Sequence, residues 1–310
     1  MPVTVEPDVQ AALAALGDRS VNAGNLADAR ARPPLAVALS DAVERTDHVV
    51  PGPPGAPDIR LRVHRPRGAG GLLPAVYFIH GGGYVMGTHL GDDARFDRWC
   101  PALSCAGISV DYRLAPETPY PGPLEDCYAG LRWVHEHAAE LGIDPARTGI
   151  SGGSAGGGLA AGLALLARDR GELPVAFQAL IYPMVDDRQV TLSSQAEVPI
   201  WNPASNRFGW ESYLGGRYGT GDIPAYAAAA RAADLAGLPP AFVMVGTLDG
   251  FLDEDIDYAR RLNAAGVATD LHVFAGAPHG FDSLMPGTGV ARRGREVLAE
   301  WLGRQLGAGR

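Results

Sequence analysis

Apolar residues change their spacing part-way along this chain. In the first stretch Val9, Ala12, Leu13 and Leu16 recur at helical intervals, and Leu35, Val37, Leu39 and Val43 follow a Pro33-Pro34 start, so residues 1–45 are expected to be helical. A Pro/Gly run at 51–57 then separates two short alternating stretches, 45–50 and 58–65, which predict antiparallel strands. From residue 74 the pattern becomes strand, loop, helix in turn. Ala75–Ile79 is a short continuous apolar run, as expected of a strand covered on both faces, and 108–112 is a second. An amphipathic helix is expected over 124–141, a strand at 147–151, and a helix of small residues from about 155 to 169. Strands at 177–182 and 241–245, a helix at 253–265, a strand at 269–274 and a terminal helix at 289–306 complete the series. Such alternation predicts an α/β fold, one mostly parallel sheet with helices on both faces.

Residues 185–225 break the rhythm. They lie between two expected strands and are long, irregular and aromatic, with Trp201, Phe208, Trp210, Tyr213 and Tyr218. Connections of that length in a compact domain are usually functional or form a subdomain. The expected organisation is therefore an α/β body of 46–184 and 226–310, with 185–225 inserted as a cap that the N-terminal helices of 1–45 join.

The sharpest chemical signal is Gly152-Gly153-Ser154-Ala155-Gly156, a G-x-S-x-G match between an expected strand and an expected helix. A turn that sharp holds its central residue in strained backbone geometry and leaves no room for side chains two positions either side. A phosphate loop looks similar, and Gly156-x-Gly158-x-x-Ala161 satisfies a degenerate dinucleotide pattern, but it starts inside the helix instead of at the strand end. His80-Gly81-Gly82-Gly83 directly follows the strand 75–79. Acyl transfer places negative charge on a former carbonyl oxygen and needs backbone N–H donors already aimed there. Gly82, Gly83 and Ala155 are the expected donors, with His80 structural.

Chain order in this arrangement runs serine, acid, histidine. His272 lies inside an alternating strand, whereas His279, between Pro278 and Gly280, occupies a loop suited to a general base. Asp249 ends the strand that begins at 241 and is the expected acid, with Asp253 the alternative. Asp253, Glu254 and Asp255 otherwise read as first-turn helix carboxylates. Tyr84, Phe208, Trp210, Phe251 and Phe281 are candidates for the substrate pocket, or simply for packing.

Composition narrows the field. All 26 cationic side chains are arginine, which excludes Schiff-base chemistry, a Walker-type loop and a Ser–Lys dyad. A net charge of −9 argues against nucleic acid or an anionic membrane surface as partner. Cys100, Cys105 and Cys127 form no metal spacing and read as buried thiols. With no secretory pattern at the start and no apolar run near 18 residues, a cytoplasmic protein is expected. A small-molecule substrate is the expected partner, no metal or organic cofactor is needed, and an exposed edge strand near 269–274 suggests a homodimer.

Four motifs in order, His80-Gly81-Gly82-Gly83, Tyr112-Arg113-Leu114-Ala115-Pro116-Glu117, Gly152–Gly157 and His279-Gly280-Phe281, closely resemble the bacterial hormone-sensitive-lipase family of esterases (family IV). The resemblance runs from about residue 45 to the C-terminus. It implies an α/β-hydrolase fold with an eight-stranded sheet, a helical cap, and hydrolysis of short- to medium-chain carboxylic esters through an acyl-enzyme on Ser154. Arg113 and Glu117 look like a structural pair bracing the oxyanion loop. Gly153 and Gly250 depart from the family, which commonly has Asp or a hydroxyl residue at the first and Pro at the second. Amide or lactone hydrolysis on the same machinery remains an alternative. So do a binding module, though the plant gibberellin receptors similar to this family lack the catalytic histidine, and a lyase like the plant isoflavanone dehydratases.

Overall fold

The structure, a computed structural model, describes residues 5–33 and 37–307. Eight strands form one sheet: β1 (Val43–Val50), β2 (Ile59–Pro66), β3 (Leu73–Ile79), β4 (Ala106–Asp111), β5 (Ile143–Gly153), β6 (Gln178–Ile181), β7 (Ala241–Leu248) and β8 (Thr269–Pro278). Their order is β1-β2-β4-β3-β5-β6-β7-β8; β1, β2 and β4 pair antiparallel and every later pairing is parallel. The helices are α1 (Pro7–Leu16), α2 (Leu26–Ala31), α3 (Asp93–Leu103), α4 (Gly122–Glu136), α5 (Ala138–Leu141), α6 (Ala155–Arg170), α7 (Leu192–Gln195), α8 (Pro203–Leu214), α9 (Leu252–Ala264), α10 (Phe281–Leu284) and α11 (Gly289–Leu306).

Strand β3 shows why the sheet has a core on each side. Ala75, Tyr77 and Ile79 join one buried cluster, with α4, α6, α8 and α9, while Val76 and Phe78 join the other, with α3 and α11. Successive side chains of a strand point to opposite faces, so a continuous apolar run is what two covered faces demand. Helix α6 lies at the centre, and its glycines permit backbone contact there. A methyl group on Gly156 would stand 2.0 Å from the Ile79 carbonyl, and one on Gly162 2.3 Å from that of Tyr226.

Three expectations need correction. Leu35 lies outside the described residues, but 37–40 form no helix, Val37 and Leu39 are exposed, and Val43 opens β1. Leu35, Val37 and Leu39 are two apart, a spacing that a helix cannot gather on one face. The helix expected at 124–141 divides at His137, whose ring Nδ1 and backbone N–H both turn to the Trp133 carbonyl. Helix α3 has no counterpart in the sequence pattern. It buries Phe96, Trp99, Cys100 and Leu103, a helical spacing interrupted by charged residues and Pro101.

Helix α1 sets Val9 into the second core cluster, and Asp8 accepts from the Gly289 N–H at the start of α11 at 2.7 Å. The insertion consists of α7, α8 and connecting loops; Val21 donates to Ser205 Oγ at 2.9 Å, tying the N-terminal segment to α8. No helix among the described residues is long and apolar enough to cross a membrane.

Candidate active site

The carboxyl ends of β3, β5, β6, β7 and β8 open side by side, because those strands are parallel neighbours in the sheet. Ligand sites in such sheets lie outside that edge. Strand β5 turns into α6 at Ser154, whose φ of 57° and ψ of −124° are strained for a residue with a side chain. The turn closes tightly: a methyl on Gly152 would meet the Gly156 carbonyl at 2.2 Å. Ser154 is anchored by its N–H to the Ile181 carbonyl (2.9 Å), while its own carbonyl accepts from Gly158 and Met184 (3.0 Å each). Gly153, by contrast, has space: a methyl there would meet nothing nearer than Tyr182 Cε2, at 3.6 Å.

Three side chains from separate strand ends meet here. His279 Nε2 lies 2.8 Å from Ser154 Oγ, and His279 Nδ1 lies 2.8 Å from Asp249 Oδ2. Asp249 Oδ1 accepts from the Phe251 N–H at 3.0 Å, which fixes the carboxylate in the turn leading to α9. All three side chains are buried. Two rings flank the imidazole edge-on, Tyr182 at 4.8 Å and Phe251 at 5.1 Å between centroids. The other candidates sit elsewhere. His272 stacks on Phe242 within the sheet, and Asp253 accepts from the Ser193 N–H at 2.9 Å, holding α7 against α9.

The loop after β3 lies against the serine: a methyl on Gly81 would stand 3.2 Å from Ser154 Cβ. Gly82 (φ 122°) and Gly83 (φ 59°) take left-handed backbone geometry that favours glycine. Among the described residues the N–H groups of Gly82, Gly83 and Ala155 make no hydrogen bond. The Gly82 carbonyl accepts from Val85 and Met86, at 3.1 and 3.0 Å. His80 stacks on Tyr112 at 4.2 Å, and its Nδ1 is 2.9 Å from the Gly81 carbonyl. Burial pushes its pKa down to about 4, so it is a neutral strut at pH 7.

Several expected contacts are replaced by others. Arg113 and Glu117 do not pair. Arg113 holds the buried Asp126 through its N–H, Nε and Nη2 (2.9, 2.8 and 2.6 Å), whereas Glu117 takes both Nη atoms of Arg30 at 2.7 Å. Residues 113–117 form no helix, so a spacing of four does not bring the two side chains together. Of the substrate-pocket candidates, Tyr84, Trp210 and Phe281 are wholly buried in the core. Tyr84 stacks on Tyr213 at 4.0 Å and donates to the Met184 carbonyl, Trp210 packs beside it, and Phe281 fills the space left by Gly294. Phe251 is buried against His279, and Phe208 is half-buried on α8.

Other residues, not site candidates in the sequence pattern, pack around these elements. The Trp201 indole presses on Gly83, where a methyl would stand 2.1 Å from Cη2. Tyr182, at the end of β6, donates to the buried Asp282, which also pairs with Arg95 at 3.3 Å. Glu254 accepts at one oxygen from the N–H groups of Val185 and Asp186 (3.1 and 3.2 Å), tethering the start of the insertion to α9, and burial pushes its pKa well up. Only the aromatic richness of 185–225 hints at any of these.

A family model described as alpha/beta hydrolase fold matches residues 76–283. The chain belongs to the α/β-hydrolase family. It is 37% identical over 297 residues to the carboxylesterase NlhH of Mycobacterium tuberculosis, covering 90% of this chain and 91% of that enzyme. With the esterase LipI of the same organism it shares 39% identity over 210 residues, 67% of this chain and 65% of LipI. The solved structure of a bacterial heroin esterase superposes with a TM-score of 0.92 at 40% identity, over 98% of both chains. This α/β-hydrolase is a carboxylic ester hydrolase of the hormone-sensitive-lipase-like branch, family IV.

Proposed function

We propose that the chain hydrolyses short- to medium-chain carboxylic esters through an acyl-enzyme on Ser154. The observation that carries this reading is the hydrogen-bonded row Asp249–His279–Ser154, with both links at 2.8 Å, beside free N–H groups. His279 takes the Ser154 proton as Oγ bonds to the ester carbonyl carbon. Negative charge moves to the carbonyl oxygen, which the N–H groups of Gly82, Gly83 and Ala155 receive. The tetrahedral adduct collapses, the bond to the alcohol oxygen breaks, and His279 returns its proton to that oxygen. Water, deprotonated by the same imidazole, then attacks the acyl carbon, and Ser154 leaves as the alcohol. Asp249 keeps Nδ1 protonated and stabilises the imidazolium without taking its proton.

Ser154 is only 8% exposed, with Trp201 over the neighbouring glycine, which supports small acyl groups over long chains. Residues 185–225 and the N-terminal helices serve as the cap, a reading supported by the Val21–Ser205 bond. Work in the cytoplasm is supported by three free, buried cysteines. Strand β8 is an edge of the sheet with Leu271 and Val273 exposed, which supports a homodimer; sedimentation as a monomer at micromolar concentration would remove that part.

The deciding experiment is p-nitrophenyl ester hydrolysis across acyl lengths, before and after a serine-directed phosphonate. Labelling at Ser154 with matching loss of turnover is expected, and Ser154→Ala should lose at least about 1,000-fold in kcat. Near-normal turnover of that variant, or labelling elsewhere, overturns the proposal.

A further inference from the structure

We propose that Arg30, on the N-terminal helix α2, is a positioning residue for the oxyanion hole, acting through two peptide groups without touching the substrate. The inference rests on the reading that the Gly83 N–H receives the oxyanion.

The connection is continuous. Arg30 Nε donates to the Val85 carbonyl at 2.7 Å. That carbonyl shares one peptide plane with the Met86 N–H, which donates to the Gly82 carbonyl at 3.0 Å. The Gly82 carbonyl in turn shares a plane with the Gly83 N–H. Both peptides are trans, so in each the carbonyl and the N–H point in opposite directions. Fixing the carbonyl of one unit therefore fixes the N–H of the next, and the free end of the row is the Gly83 N–H.

Direction matters as well as position. The guanidinium places a positive charge at the far end of two head-to-tail peptide dipoles. Their positive ends lead to the point where an acyl-transfer oxyanion develops, and serial hydrogen bonds polarise one another in that sense. The rest of the Arg30 fork is engaged as well. Nη1 and Nη2 grip Glu117 at 2.7 Å each, and Nη2 also donates to the Ala115 carbonyl at 2.9 Å. The Ala115 N–H donates to the Tyr84 carbonyl at 3.0 Å, closing a ring around the returning arm of the loop. Two backbone carbonyls and a carboxylate read in one plane are a task for arginine, which lysine cannot reproduce.

The test compares wild type with Arg30→Met and Arg30→Lys. Measured quantities are kcat, KM and affinity for a trifluoromethyl ketone, which forms a tetrahedral adduct on the serine. For Arg30→Met a fall in kcat of about tenfold is expected, a fraction of the roughly 100- to 1,000-fold seen when a whole oxyanion donor is removed. KM should stay within about twofold, and ketone affinity should fall by the same factor as kcat. Arg30→Lys should recover no more than part of the loss. A folded Arg30→Met variant with kcat and ketone affinity near wild type overturns the proposal, as does a loss that the two measurements do not share. Should Arg30→Met fail to fold, Arg30→Lys decides: at least about a threefold loss shared by both measurements upholds the relay, and no loss overturns it. Phosphonate labelling of the wild type separates the two levels, since absence of label at Ser154 defeats the esterase reading itself.

Discussion

The indole of Trp201 lies so close over Gly83 that a methyl group there would come within 2.1 Å of Cη2. The ring is delivered by a tight turn centred on Ile200, at a φ of 72°, in which the Trp201 N–H donates to the Pro199 carbonyl at 2.9 Å. A β-branched residue with positive φ costs about 1–3 kcal/mol, and such strain persists only where the surroundings enforce it. Asn206 supplies one such restraint by accepting from Trp201 Nε1 at 3.3 Å. Trp201→Ala would open space beside the loop that we propose faces the reacting carbonyl. Each added methylene accommodated is worth about 1–3 kcal/mol, so the ratio of kcat/KM for an octanoate over an acetate ester should rise at least about tenfold. An unchanged ratio across p-nitrophenyl esters removes Trp201 from the pocket.

Asp249 has one oxygen on His279 Nδ1 and the other on the Phe251 N–H, so its amide analogue would keep the shape while presenting a donor to one of them. Asp249→Asn should retain the fold and lose about 10,000-fold in kcat, because the imidazole is then held in the wrong tautomer. Thermal unfolding close to wild type with turnover reduced by less than about tenfold would show that another carboxylate serves. Asp253, already committed to the Ser193 N–H, would be the first to examine.

The elbow separates glycines that steric contact requires from one that it does not. Methyl groups at Gly152 and Gly156 would fall 2.2 and 2.0 Å from backbone carbonyls, whereas one at Gly153 meets nothing nearer than 3.6 Å. Alanine at 152 or 156 should therefore destabilise the protein by several kcal/mol (about 3 or more) or prevent soluble expression, and alanine at 153 should stay within about 1 kcal/mol. Equal urea midpoints for the three variants would refute the distinction. The same comparison accounts for Gly250, where the nearest atom is 3.7 Å away and a side chain is sterically welcome.

What can be read in the sequence is what is local in the chain. The run Ala75–Ile79 announces a strand covered on both faces, and Gly152–Gly156 announces its turn because the contact that requires Gly152 lies within one strand-to-helix step, although the one that requires Gly156 is made with the Ile79 carbonyl of β3. The loop glycines at 81–83 are legible because they follow a strand directly. Contacts across long sequence separation that no motif or chain order marks are not, whereas Ser154, Asp249 and His279 could be joined because their order along the chain follows a known pattern. Arg30 reaches Val85 and Glu117, and Tyr182 reaches Asp282, with no periodicity linking them. Tyr84 and Trp210 resemble pocket residues because they neighbour the loop and the insertion in sequence. In space each turns inward onto Tyr213. Aromatic character marks a region as buried; it does not say which ring faces the void.

Asp92, at the start of α3, is buried beside Arg95 with its Oδ2 unpartnered among the described residues. Burial pushes its pKa up to about 7, more than the neighbouring Arg95 cation pulls it down. The folded protein therefore holds a proton here that an unfolded chain, with an ordinary carboxylate pKa of about 4, has released. Between about pH 4 and 7 the native state binds more protons than the unfolded state, so this group's contribution is full below pH 4 and is lost as the pH rises through 7. Asp92→Asn keeps the shape without the charge. Its stability relative to wild type, measured by urea unfolding, should be more favourable at pH 8 than at pH 5 by about 2–3 kcal/mol, an order-of-magnitude figure from linkage over that interval. A stability difference that does not change between pH 5 and 8 would place the carboxylate in its charged form at both, and Arg95 would then be its full counter-ion.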